Sequence, residues 1–537
     1  MKDSQSPPAP PPLPHSSHPA AGSAAALPEL LLTGAALTPA EVEEVARGGR
    51  RVGLSPETRE RIAACRRALE GVMSDGEAHY GVNTGFGSLS RQRIGEGDLR
   101  DLQRNLVRSH AAGVGRPLPA EVVRGMMLLL AASLSRGFSG VRVETVEAVI
   151  GLLNAGVTPV VPEVGSCGAS GDLAPLAHVS LVLLGEGRAF LGGKEMDGAE
   201  ALRTAGLRPI SLEAKEGLAL INGTHLMAAR GALLVRDFTR LFDAALVACA
   251  MSIDACRATD AFLDERVHRA RNQPGQAMVA RRLAKMLEGS QIVPSHRLND
   301  PRVQDPYSLR CAPQVLGAAW DAAEYVRGVV EHELGGVTDN PLVFASRASG
   351  ERVPEIVSAG NFHGMPMAIA LDTLALPIAH VAGVAERRVY HMLSGFDPDA
   401  GLPPFLSPPP PGLNSGYMIA QYTAAACCNE IIGLCTPASV ANLSTSAGME
   451  DYNSWGPRSA AKAARCMELA RSVVAIELLC AAQAIEHHRP LRSGEAVERA
   501  HALVRSVVPK LTADRPPAPD IAAIEGLIAR GVFAESA

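Results

Sequence analysis

The chain has 537 residues, 47% of them hydrophobic and 20% charged, which is the balance of a folded protein with room for more than one domain's worth of core. Its net charge is −5, from 51 basic and 56 acidic residues, and no Lys/Arg run forms a basic stripe, so a nucleic-acid partner is not expected. Aromatic residues are only 4%, while Ala and Leu recur throughout, and these lose little side-chain entropy in a helix; a mainly α protein is expected.

Residues 1–27 are rich in proline and lack a charged-then-apolar leader pattern, so they read as a disordered, partly polyproline-II tail. From 28 to about 130, short helical patterns are broken by a glycine-rich loop, Tyr80-Gly-Val-Asn-Thr-Gly-Phe-Gly87. Next come an apolar helix (Val143–Leu153), an extended stretch (157–162), a Gly/Ser/Ala cluster (165–171), further helix and a small hairpin. Helices dominate from about 212, and the alanine-rich run Ser459–Glu486 predicts one long helix ended near Pro490. Alanine-rich helices suit a closely packed bundle. Polar, proline-bearing loops fall at 290–306, 346–354 and 396–413.

The apolar runs Gly125–Leu134 and Met367–Val384 are short or broken by Asp372 and His380, and read as buried helices rather than membrane spans. The ten cysteines include no C-x-x-C pair, which disfavours zinc and redox sites; buried thiols in a reducing cytoplasm are the expectation. No metal is expected. A zinc hydrolase at His332-Glu333 lacks a second histidine, since position 336 is Gly.

The chemistry is concentrated in Gly165-Ser-Cys-Gly-Ala-Ser-Gly-Asp-Leu-Ala-Pro-Leu-Ala-His178. By itself an Ala-Ser-Gly is an ordinary loop, with Asp172 as a cap and Pro175 in the first turn of a helix. The same three residues are also suited to cyclisation. The Gly171 nitrogen is unhindered, Ala169 offers a small acyl carbon, and Ser170 carries a hydroxyl that can leave. Loss of two waters yields a methylidene-imidazolone, an electrophile that no ordinary side chain provides. A serine hydrolase using Ser170 is the alternative from another class, but Gly168-Ala-Ser-Gly171 lacks the Gly-x-Ser-x-Gly spacing.

The longer string resembles the active-site signature of the aromatic amino-acid ammonia-lyases, which include histidine, phenylalanine and tyrosine ammonia-lyases. Five further blocks match in order: 80–89, 102–115, 218–225, 303–318, and 360–366 with 386–388. The resemblance spans about residues 30–490 and implies a mainly α fold, with an N-terminal region (28–140) bearing the base loop. A helical region (141–537) then carries the self-formed ring and a central bundle. It implies no external cofactor, and a homotetramer with active sites shared between chains.

Residue by residue, the resemblance implies that Tyr80 is the base, its pKa lowered from the ordinary value of about 10 by positive charge or dipoles. Arg310 corresponds to the clamp on the substrate carboxylate, Tyr307 to a second tyrosine near the ring, and Gln304 to the amide that orients it. Asn222 and Asn340 correspond to amides on the ring or substrate, and Phe362 to a wall beside them. Helix N-termini aimed at the ring would add positive potential.

Ser109-His110 and Glu450 are the pair that resembles histidine-type members, where an imidazole would be bound. The leading expectation is therefore deamination of L-histidine to trans-urocanate and ammonia. His225, Gly364-Met365, Met449 and Tyr452 depart from the usual histidine-type residues, among them Gln in place of His225, and crowd the expected pocket. They leave open a tyrosine ammonia-lyase or a 2,3-aminomutase acting on histidine or tyrosine.

Overall fold

The computed structural model describes residues 27–73, 77, 79–85, 87, 92–298, 300–346, 353–410 and 412–537. The proline-rich tail, apart from Leu27, lies outside the described residues, as does part of the loop that follows Tyr80.

Five long helices make the central bundle: His225–Ala255, Ala312–Leu334, Met365–Ser394, Met418–Leu434 and Gly456–Ile485. The Met365–Ser394 and Gly456–Ile485 helices run against each other, and both pack on His225–Ala255. Small side chains allow this approach; Ala460, Ala463, Ala470, Ala475 and Ala481 are all fully buried in the last of these helices. That helix begins three residues earlier than the alanine run, because Pro457 suits a first turn, where its missing N–H has no partner to lose.

The bundle core contains a buried ion pair. Arg388 Nε lies 2.5 Å from Glu477 Oε1, both side chains fully buried, and ties Met365–Ser394 to Gly456–Ile485. Among the described residues Met365–Ser394 is the one helix long and apolar enough to cross a membrane, and 61% of its most apolar window is buried inside the protein.

The N-terminal region packs on this bundle through the helix Ala120–Ser135, where Gly125 faces Ala229 of the His225–Ala255 helix. The main hydrophobic core draws on residues from Leu30 to Phe533, and a smaller cluster gathers Cys65, Leu69, Val82, Leu99, Ala214 and Val343. Strands are few and short. The expected extended stretch splits into Thr158–Pro159 and Pro162–Val164, and the hairpin is Arg188–Leu191 with Lys194–Asp197. Pro162–Val164 pairs antiparallel with Val114–Pro117, which brings the chain after His110 alongside the Gly/Ser/Ala cluster.

Candidate active site

Ala169-Ser170-Gly171 sits in a tight turn whose flanking glycines, Gly168 and Gly171, bridge each other. Both hold φ near +74°, a region that L side chains rarely adopt. Gly171 also presses on Gly223: a Cβ there would lie 2.2 Å from the Gly223 carbonyl oxygen. Gly168 is confined in the same way, since its Cβ would meet Ser454 Oγ at 2.1 Å. The turn is pinned by Ser166, whose hydroxyl donates to the Gly171 carbonyl (3.1 Å), and by the Trp455 N–H, which donates to the Cys167 carbonyl (2.9 Å).

Four helices begin at or beside this turn. Leu173–Leu183 follows it directly. His225–Ala255 starts two residues after Gly223. Gly364 and Gly456, at the starts of Met365–Ser394 and Gly456–Ile485, both contact Met227 in the first turn of His225–Ala255. Their N-termini gather beside the turn, where the unpaired N–H groups of a helix start carry partial positive charge. Asp172 intercepts part of this field. Its carboxylate accepts the N–H groups of Leu226 (2.8 Å) and Met227 (3.2 Å). Burial pushes its pKa up to about 7 despite those hydrogen bonds.

Glu450 stands directly against the turn, and Asn222 lies one residue from the Gly223 N–H that meets it. The Ser170 hydroxyl donates to Glu450 Oε1 at 3.3 Å, and Thr445 donates to the other Glu450 oxygen at 3.0 Å. Glu450 is therefore a half-buried, hydrogen-bonded carboxylate rather than a loose surface charge. The Ser170 carbonyl accepts the Gly223 N–H at 3.3 Å, so Asn222 is held at the turn's edge. Asn222 Nδ2 donates to the Asn340 carbonyl at 3.0 Å, and Asn340 Oδ1 accepts the Ala359 N–H at 2.6 Å, which draws in the loop bearing Phe362. Phe362 is half-buried.

Tyr80 is half-buried, and its hydroxyl accepts the Gly87 N–H at 3.5 Å. Burial and the Glu450 carboxylate push its pKa up, against the help of that N–H. This is opposite to the direction a base requires.

Arg310, Tyr307 and Gln304 make their own cluster at the turn Tyr307–Arg310. The guanidinium carbon lies 4.6 Å from the Tyr307 ring centroid, and Nη2 donates to Gln304 Oε1 at 2.7 Å. Among the described residues none of the polar contacts of these three side chains reaches the Ala169–Gly171 turn. Tyr307 is 71% exposed. His110 ends the helix Leu99–His110, its Nδ1 lying 2.8 Å from the Leu106 carbonyl. The segment just after it is fixed beside the turn's helix, because His178 Nε2 accepts the Gly113 N–H at 3.1 Å. Among the departures, His225 is buried at the first position of its helix, while Met449 and Tyr452 are exposed and do not fill a pocket within one chain.

Sequence reasoning passed over Asp172 as a site residue, and also missed His178 and the buried pair Lys215–Asp339. A buried charge in one sequence is indistinguishable from a surface one unless its partner is known, and Lys215 and Asp339 are 124 residues apart.

Residues 37–506 match the aromatic amino acid lyase family. Histidine ammonia-lyase of Anaeromyxobacter sp. (strain K) is 48% identical over 511 residues, covering 94% of this chain and 99% of the relative. That of Sorangium cellulosum (strain So ce56) is 49% identical over 506 residues, covering 94% and 98%. The crystal structure of histidine ammonia-lyase from Trypanosoma cruzi superposes with a TM-score of 0.87 at 40% identity, covering 95% of this chain and 94% of that one. A tyrosine aminomutase from Streptomyces globisporus superposes with a TM-score of 0.88 at 32% identity, covering 95% and 98%. The fold is thus that of the solved histidine ammonia-lyase structure. The chain belongs to the aromatic amino acid lyase family.

Proposed function

We propose that the protein deaminates L-histidine to trans-urocanate and ammonia, using a methylidene-imidazolone closed from Ala169, Ser170 and Gly171. The observation that carries this reading is the Ser170–Glu450 contact, which sets a carboxylate at the rim of the candidate ring. The near-full-length similarity to histidine ammonia-lyases supports the same substrate.

The residues fit such a ring. Gly171 has the required backbone freedom, Ser170 has its hydroxyl on an acceptor, and its carbonyl receives an N–H. Asn222 Oδ1 is buried without a partner among the described residues, a polar atom available at the same edge. The ring would supply an electrophilic carbon that draws electron density from the substrate and so activates the amino group as a leaving group.

Tyr80 takes the β-proton as the amino group departs from the α-carbon, which leaves the α,β double bond. Arg310 holds the substrate carboxylate bidentately, with Gln304 and Tyr307 beside it. His110 and Glu450 bind the imidazole, Asn222 and Asn340 orient ring and substrate, and Phe362 walls the site.

Because Tyr307, Arg310 and Gln304 make their polar contacts away from the Ala169–Gly171 turn, a complete site needs other copies of the chain. A homotetramer with sites shared between chains fits the exposed apolar face of Met365–Ser394 and Met418–Leu434 (Leu376, Ile419, Tyr422, Ile432) and the following loop (Val440, Leu443). Ten free thiols suit a reducing, cytoplasmic setting.

The test is incubation with histidine, tyrosine and phenylalanine, with identification of unsaturated and β-amino products. Urocanate from histidine is expected from the wild type, and none from Ser170→Ala. A β-amino product would make the protein an aminomutase instead.

A further inference from the structure

Behind the candidate ring lies a buried ion pair. Lys215 Nζ is 2.6 Å from Asp339 Oδ2, and the side chains are 0% and 2% exposed. Removing two charges from water is costly, and well-packed apolar residues would often serve stability as well. Stability alone therefore gives little reason for such a pair. The backbone at Lys215 sharpens the question, because its φ of +71° favours glycine, yet a long cationic side chain occupies it.

The pair's connections lead to the site. The second carboxylate oxygen, Asp339 Oδ1, accepts the Asn340 N–H at 2.7 Å and faces Asn222 Nδ2 at 3.4 Å. Asn222 Nδ2 also donates to the Asn340 carbonyl at 3.0 Å. The next residue, Gly223, donates to the Ser170 carbonyl and lies against Gly171. An unbroken set of short contacts thus runs from the ammonium to the backbone that must cyclise.

Neighbouring charges are committed elsewhere. Arg66 donates to the Ala214 and Gly140 carbonyls and pairs with Glu70, and Glu216 pairs with Arg142.

We propose that Lys215 and Asp339 are positioning residues, an ion pair that holds Asn222, Asn340 and Gly223 in the arrangement needed for closure of Ala169–Gly171 and for turnover. This rests on the reading that the tripeptide closes. The pair fixes the orientation of two amides that have several alternative partners, and its strength in a dry interior keeps that orientation while substrate enters and leaves.

The decisive variant is Lys215→Met/Asp339→Asn in the full-length protein. It removes both charges together and keeps an oxygen for the Asn340 N–H, so no lone charge is buried. Two readouts are taken on folded protein: the share of chains lighter by two waters, from peptide mass mapping, and kcat and KM per closed site. The expected result is a lower closed share, or kcat per closed site down about 100-fold with KM within about threefold. Wild-type values of both overturn the proposal.

Should that variant not fold, Lys215→Arg keeps the charge and alters only its geometry. The same losses are expected there, and wild-type values of both again overturn the proposal. The wild type measured alongside separates the two claims. A closed wild-type tripeptide without urocanate production refutes the substrate and leaves the closed share to decide the role of the pair. An open wild-type tripeptide refutes the ring itself.

Discussion

Glu450 touches the hydroxyl that must leave for the ring to form, and on the proposed reading it also faces the substrate's imidazole. These roles are separable. Glu450→Gln keeps a hydrogen-bond acceptor for Ser170 but loses the charge that favours a cationic imidazole. Ring closure should persist by peptide mass, while kcat/KM for histidine falls about tenfold or more, equivalent to about 1.4 kcal/mol. Tyrosine and phenylalanine turnover, where present, should fall less. Equal losses on all three substrates would remove Glu450 from imidazole recognition.

His225 offers a second test at this scale. Burial pushes its pKa down to about 3, and both ring nitrogens lack partners among the described residues. An unfolded histidine titrates near 6.5, so between about 6.5 and 3 the unfolded chain binds a proton that the folded chain refuses. Stability from this group is full above about pH 6.5 and is lost as the pH falls. Replacing it with a residue that does not titrate, His225→Gln, should shrink the drop in Tm between pH 7.5 and pH 5. An unchanged drop would place the acid sensitivity in other groups. Legibility at this scale was uneven. Ala169, Ser170 and Gly171 are adjacent in sequence and could be read as one unit, whereas the burial of His225 follows from the packing of its whole helix.

Among the elements, the last long helix of the bundle was the most legible, because its run Ser459–Glu486 holds no glycine or proline and admits few alternatives. The Gly456–Ile485 helix departs from its expected span by a few residues only, through the proline at its start. What could not be read was which charged residues the helices bury. Glu386-Arg387-Arg388 gave no sign that Arg388 would sit fully buried against Glu477, 89 residues away, while Arg387 stays half-exposed. Arg388 also donates to the Ser308 carbonyl at 3.3 Å, inside the turn that carries Tyr307 and Arg310. Arg388→Met alone leaves Glu477 charged and unpaired, and should cost about 3–5 kcal/mol in urea unfolding at fixed protein concentration. Arg388→Met/Glu477→Leu should recover most of that stability. It should still lower activity, because the Tyr307–Arg310 turn has lost its support. Full activity in the double variant would show that the turn is held by its other contacts.

The proposed division of the site between chains belongs to the whole molecule. Within one chain the Ala169–Gly171 turn is joined to Glu450 and, through the Gly223 N–H, to the neighbour of Asn222, while exposed Gln304 and Tyr307 and half-buried Arg310 form a separate cluster. Within one chain burial, with the Glu450 carboxylate, raises the Tyr80 pKa. If each site draws the turn from one chain and Arg310 from another, two inactive variants can complement each other. Ser170→Ala removes the ring, and Arg310→Ala removes the carboxylate clamp. Each alone should be inactive. Co-expressed and purified as mixed oligomers carrying two different tags, they should regain measurable histidine deamination, because some sites then combine an intact turn with an intact arginine. Sites built within single chains would each retain one defect, and mixing would restore nothing. Mixing the two purified proteins without subunit exchange is the control, and it should remain inactive on either arrangement.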